Sequence, residues 1–243
     1  MEFEEPAFVL SARSHGETGA IVEVLTAERG KWAAHIAGGA SRRMSSYLQA
    51  GARVSFAYRA RVSDQLGSAR IEPTGEGPSA LFDDPAALAG LSSAAAVIAA
   101  ALPEREPHPG VFLALETLAA ALADAAVWPA VMVRFEAGLL ADLGFGLDLS
   151  TCAVTGETDD LVWVSPRTGR AVSAAAGEPY RERLLALPLF LLSAQGRVAP
   201  GDIAAGLALT GHFLEMSVFN PLNRPLPAAR QRMIDSLAER GLS

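Results

Sequence analysis

The run Arg53-Val54-Ser55-Phe56-Ala57-Tyr58-Arg59-Ala60-Arg61-Val62 constrains the fold more than any other stretch of the 243-residue chain. Every even position is apolar and the odd positions include Arg53, Arg59 and Arg61, the period-2 pattern of a strand with one face in a core and the other in water. Such a strand presents its guanidiniums on the wet face. The charge around it is equally uneven. From Arg29 to Arg70 the cations are Arg29, Lys31, Arg42, Arg43, Arg53, Arg59, Arg61 and Arg70 against the single acid Asp64, a net of +7 in a chain whose formal net charge is −7. Within this stretch Gly38-Gly39-Ala40-Ser41-Arg42-Arg43 reads as a flexible basic loop.

The neighbouring sequence supplies further short strands between turn residues: Phe8–Arg13, Ala20–Thr26, Lys31–Ala37 and Ser68–Glu72, the last closing on Pro73. Five short strands in about 65 residues suit a small closed barrel, because closure removes exposed edges. An oligonucleotide/oligosaccharide-binding (OB) barrel is the expected form. Pro73–Pro78, with two prolines and two glycines, reads as a boundary. Asp83-Asp84-Pro85 then offers an N-cap and a first-turn proline for a helix to about Leu102. Helical patterns follow over Val111–Val127, Ala130–Leu143, Glu178–Leu187, Asp202–Val218 and Ala228–Arg240, interrupted by a β-like insertion over Leu147–Ala176 that holds a strand at Leu161–Ser165 and a turn at Pro166–Gly169. The expectation is an α+β protein: an N-terminal five-stranded OB barrel in residues 1–78, then a helical domain in 79–243 with its insertion at about 147–176.

Half of the chain is apolar, enough for a substantial core. The acidic start, Met1-Glu2-Phe3-Glu4-Glu5-Pro6, is followed by no uninterrupted apolar run, and the alanine-rich run Pro85–Leu102 falls short of the roughly 20 strongly apolar residues of a membrane span. A soluble cytoplasmic protein is expected. Residues 1–80 hold nine cations and nine acids, and residues 81–243 hold 11 and 18, so the net negative charge sits entirely in the second part. A basic first module on an acidic remainder suits phosphate binding confined to one end. Lys31, Arg42, Arg43, Arg53, Arg59, Arg61 and Arg70 are the candidate phosphate contacts, since guanidiniums bind phosphate oxygens in bidentate, charge-assisted pairs. With 19 Arg and one Lys in the chain, the choice of Arg carries no weight; the clustering does. Tyr58 falls on the inward face of its strand and belongs to the core, while Trp32 stays open between core and base stacking.

Little else supports catalysis or a metal. His15, His35, His108 and His212 are scattered, Cys152 is the lone cysteine, and no nucleophile elbow, phosphate-cradling glycine motif or acid cluster surrounds them. No cofactor, metal or turnover chemistry is expected. Arg134, between Val133 and Phe135 in an apolar helix, has two readings, an ion pair with an acid such as Asp202 or a ligand contact.

Several pieces in order resemble the RecO family of bacterial recombination mediators: Ala7-Phe8-Val9-Leu10, Glu17-Thr18, Leu25-Thr26 with Gly30 after it, Gly39-Ala40-Ser41-Arg42-Arg43, Leu48-Gln49, Arg134-Phe135-Glu136, Leu139-Leu140, Leu143-Gly144-Phe145-Gly146 and Cys152-Ala153-Val154. The resemblance spans nearly the whole chain. It implies an OB barrel and a helical domain, binding of single- and double-stranded DNA, annealing of complementary strands, and action with RecR and the single-strand-binding protein SSB to load RecA, in the cytoplasm at the nucleoid. It also implies that Arg134 receives the acidic C-terminal tail of SSB. Many family members carry a four-cysteine zinc knuckle, and the alignment puts Thr155, Ser173 and Ala176 at three of those positions, leaving Cys152. The knuckle is then expected to hold by packing of Val162, Trp163 and Val164, without zinc. The other reading is an adaptor whose barrel and helices bind proteins and not DNA.

Overall fold

The computed structural model describes residues 1–61, 66–75, 77–193 and 196–241, so Val62 and Asp64 lie outside the described residues. Packing divides the chain into two compact units, Met1–Ala123 with Pro227–Arg232, and Asp124–Leu226 with Met233–Ser243.

In the first unit, strands β1 (Glu2–His15), β2 (Gly19–Thr26), β3 (Gly30–Ile36), β4 (Arg53–Arg59) and β5 (Gly67–Pro73) form a closed barrel in the order β1-β2-β3-β5-β4, with the one-turn helix α1 (Arg42–Ser45) in the loop between β3 and β4. The five-strand expectation holds. β4 alternates as its sequence dictates: Val54, Phe56 and Tyr58 are buried while Arg53 and Arg59 are exposed. They join Val9, Val22, Val24, Ala34 and Ile36 in the barrel core. Trp32 joins them, 5% exposed, with its Nε1 donating to Arg29 O at 2.9 Å. Neither aromatic offers a stacking platform.

β1 begins at Glu2, six residues before the expected Phe8. Glu2 to Phe8 pairs with Arg59 to Arg53 of β4, and Ala7 to His15 pairs with Thr26 to Gly19 of β2. The barrel closes through this first half, whose glutamates and Pro6 disguise it in sequence. Closure on the other side is short, with only Ala34 and His35 of β3 pairing with Gly67 and Ser68 of β5. The remaining edge of β3 is covered from within the unit, where Lys31 bridges Glu104 and Arg105 N donates to Lys31 O at 2.8 Å. That cover replaces a strand.

Helix α2 (Pro85–Ala101) starts where Asp84 Oδ1 accepts from Ala87 N at 2.9 Å, with Pro85 in the first turn, and α3 (Pro109–Ala121) follows. The pattern expected to run to Val127 stops early; Asp124 Oδ1 accepts from Ala126 N and turns the chain.

The second unit holds α4 (Trp128–Asp142), β6 (Leu161–Val164), β7 (Ala171–Ser173), the short α5 (Ala174–Gly177), β8 (Leu185–Ala186) and α6 (Asp202–Phe213), which continues as a π-helical turn over Leu214–Phe219. α7 (Ala228–Glu239) ends the described helices. α4 and α6 approach closely because Gly206 has no side chain against Val133. Glu136, fully buried on α4, accepts from Thr210 Oγ1 of α6 at 2.5 Å. The helix expected over Glu178–Leu187 is absent. Glu178–Arg183 is a 3₁₀ segment, and Leu185–Ala186 pairs with β6 while Leu187 N donates to Val162 O at 2.9 Å. Sheet pairing there overrides local helical pattern.

Candidate nucleic-acid interface

The loop between β3 and β4 places two of the seven candidate cations in the open. Ser41 caps α1 with its hydroxyl toward Met44 N, and Ala40 N donates to Thr18 O at 3.0 Å, tying the loop to the β1–β2 turn. Arg42 and Arg43 then lie exposed, and among the described residues no ion pair engages either. The tethered loop holds both guanidiniums at the barrel surface, where they can make charge-assisted contacts to phosphate.

The other candidates divide by what lies opposite them. Arg59 is exposed at the end of β4, across from Glu2 on β1 and Ser68 on β5. Arg61 follows, exposed. Arg70 points outward on β5 and meets Glu72 at 3.4 Å, but both side chains are more than three-fifths exposed, so that pair is weak and exchangeable. Arg53 is ion-paired with Glu116 of α3, a partner invisible to a reading of the strand alone.

Lys31 requires a correction. Its outward-facing position is covered by α2, leaving it 8% exposed, and its Nζ donates to Ala99 O at 2.7 Å. An ammonium buried against a helix carbonyl tethers the barrel to α2 and does not face solvent. The exposed candidates not paired with a helix are therefore Arg42, Arg43, Arg59, Arg61 and Arg70, with Arg53 exposed but held by Glu116.

In the second unit Arg134 of α4 is held by backbone carbonyls. Its Nε and Nη2 donate to Phe190 O at 3.3 and 2.7 Å and its Nη2 to Ser193 O at 2.9 Å, while the guanidinium sits over the Phe190 ring at 5.8 Å. Asp202 instead accepts from Ala199 N. Arg134, Ala137 and Phe190 to Ser193 line a pocket of about 360 Å³, with exposed Leu189 and Leu192 in the same segment.

The knuckle gathers Cys152, Thr155 and Ser173 without supplying a metal's donors. Cys152 Sγ accepts from Ser173 N at 3.3 Å and from Ser173 Oγ at 3.4 Å. Burial pushes the thiol up, but the hydrogen bonds from Ser173 and Thr155 outweigh it and bring it down to about 6. One thiol with two hydroxyls does not fit a structural zinc, which takes four thiolate or imidazole ligands, and no cluster of three or more metal-binding side chains occurs among the described residues. Of the three residues expected to pack there Val164 is fully buried and Val162 and Trp163 are half-buried, and hydrogen bonds add to the packing: Cys152 N to Glu157 O at 2.7 Å and Ala153 N to Ala171 O at 2.8 Å. Metal analysis of the purified protein is expected to find far less than one zinc per chain, with a thiolate absorbance that titrates near pH 6 and disappears in Cys152→Ser. Stoichiometric zinc overturns this account of the knuckle.

A closed five-stranded OB barrel with a basic loop, followed by a helical region bearing a small three-stranded knuckle, defines an α+β barrel-and-helix protein. Two family models match it, recombination protein O N terminal over residues 1–74 and recombination protein O C terminal over residues 83–225. The chain belongs to the RecO family. It is 73% identical over 241 residues to the DNA repair protein RecO of Phenylobacterium zucineum, covering 99% of both chains. Its identity to the protein of that name from Caulobacter sp. strain K31 is 69% over 241 residues, again 99% of both. That from Rhodospirillum centenum is 51% identical over 239 residues, 97% of this chain and 94% of the other. Among the described residues no helix is long and apolar enough to cross a membrane.

Proposed function

We propose that this protein is a non-enzymatic DNA repair and recombination mediator. It binds single- and double-stranded DNA through the barrel of residues 1–78, anneals complementary strands, and acts with RecR and SSB to promote RecA loading. Residues 79–243 serve protein partners, and the protein works in the cytoplasm at the nucleoid. The observation that carries the reading is the exposed Arg42–Arg43 pair on a tethered loop of an OB barrel, in a chain of the RecO family. Arg59, Arg61 and Arg70 extend the contact; Arg53 joins by exchanging Glu116 for phosphate. Phosphate contacts carry no base information, so sequence preference is weak.

A fluorescent single-stranded oligonucleotide titrated across a salt series tests the reading. About five neutralised phosphates give a slope of roughly −3.5 for log K against log salt. Retained partner binding with no DNA affinity at low salt establishes the adaptor instead.

For SSB the proposed site is the Arg134 pocket, where a guanidinium beside Leu191 and Leu192 suits an acidic tail. Arg134→Glu is expected to abolish binding of an SSB tail peptide in an anisotropy assay, with the thermal transition monitored because Arg134 also ties Phe190 and Ser193. Wild-type affinity in a folded Arg134→Glu protein removes the pocket from consideration.

A further inference from the structure

Beside the basic loop, the barrel places two imidazoles in contact on its outer face. His15 ends β1, opposite Gly19, and His35 lies on β3, opposite Ile21 of β2. Their rings meet edge to face at a centroid distance of 5.8 Å. The close approach depends on Gly19, since a Cβ at that position would collide with His35 Nε2. His15 is exposed and His35 half-buried.

The cross-strand register continues this site in both directions. Arg59 of β4 faces Ser68 of β5, Ser68 faces His35, His35 faces Ile21, and Ile21 faces Arg13 of β1. Residues directly opposite in a sheet share a face, so the row Arg59, Ser68, His35, Ile21 and Arg13 crosses the outside of the barrel with a cation at each end. The loop carrying Arg42 and Arg43 is hydrogen-bonded to Thr18 in the turn between His15 and Gly19. The charged groups around the pair are therefore Arg13 on β1, Arg42 and Arg43 on the loop, Arg59 beyond Ser68, and Glu17 in the β1–β2 turn; Glu23 is engaged by Ser11 Oγ at 2.6 Å, and Glu2 lies across from Arg59. Among the described residues, cations outnumber acids along this path.

We propose that His15 and His35, with Arg13, form a proton-linked phosphate site that extends the DNA path from the loop across the barrel. The inference rests on the DNA-binding reading above. Histidine is the side chain that changes charge between pH 5 and 8. A phosphate seated on both imidazoles favours their charged form, because opposite charges attract. Binding and protonation then favour each other by linkage. DNA binding tightens as pH falls, and the complex takes up protons that the free protein does not hold.

The experiment measures a fluorescein-labelled oligothymidylate against salt at pH 6 and pH 8, for wild type, His15→Gln, His15→Gln/His35→Gln and Arg42→Ala/Arg43→Ala. Glutamine keeps a polar side chain that cannot protonate. Wild type is expected to bind about tenfold tighter at pH 6, with a salt slope steeper by roughly 0.7, the worth of one more phosphate contact on a single strand. The double glutamine variant loses that pH difference, the single variant loses part of it, and the loop variant keeps it on a weaker baseline. A glutamine variant that retains the full wild-type pH difference, or a wild type with none, overturns the proposal and leaves the DNA-binding reading standing. No binding by wild type at either pH overturns both.

Discussion

Replacing Arg42 and Arg43 together by alanine is expected to weaken single-stranded DNA binding by on the order of tenfold near 0.1 M salt and to flatten the salt slope by roughly 1.4, the loss of two phosphate contacts. Both guanidiniums are exposed on α1 and neither is engaged by an ion pair among the described residues. The substitution therefore removes charge without disturbing a fold-stabilising contact, and the melting temperature should stay within a degree or two. Arg53→Ala provides the contrast. Its guanidinium already has Glu116, so its loss changes DNA affinity less and exposes an uncompensated carboxylate on α3. An Arg42/Arg43 double variant with the wild-type slope would move the DNA site off the loop.

Gly30→Ala is expected to destabilise the protein by roughly 2–5 kcal/mol. Gly30 opens β3 at φ +73°, a left-handed conformation that costs an L-residue about 1–2 kcal/mol. The added Cβ would also collide with the carbonyl of Glu106, and relieving such overlap in a packed site costs about 1–3 kcal/mol more. The collision falls on the segment that seals the unpaired edge of β3, so the bond from Arg105 N to Lys31 O loosens with it. In a chain of this size the melting temperature falls by roughly 5–15 °C. Gly138→Ala is the control. It lies inside α4 with open space at its Cβ position and no positive φ, and there the same change should stabilise by about 0.5–1 kcal/mol. A Gly30→Ala protein as stable as wild type would mean that the cover over β3 is dispensable.

What could be read before the fold was known followed the local periodicities. The alternation of Arg53 to Arg59 predicted which side chains enter the barrel, and Asp83-Asp84-Pro85 predicted a capped start of α2 with a proline in its first turn. The exposed loop with Arg42 and Arg43 was legible because glycine and charge mark such segments irrespective of their partners. Lys31 was misread for the opposite reason. Its place on an outward strand position is local, whereas the helix that covers it comes some 70 positions later and closes over it only in three dimensions, as its contact with Ala99 O records. Glu116 beside Arg53 and the carbonyls of Phe190 and Ser193 around Arg134 were hidden likewise.

The two histidines show the division most plainly. Separately, His15 and His35 carry no motif; the antiparallel register of β1, β2 and β3, with Gly19 leaving room, brings their rings together. By itself the sequence determined the barrel-and-helix class, the family and the basic loop, because periodicity, turn chemistry and charge density act between near neighbours. Only the tertiary structure decided which cations stay exposed and which side chains share a site, because burial and pairing depend on segments that meet after folding.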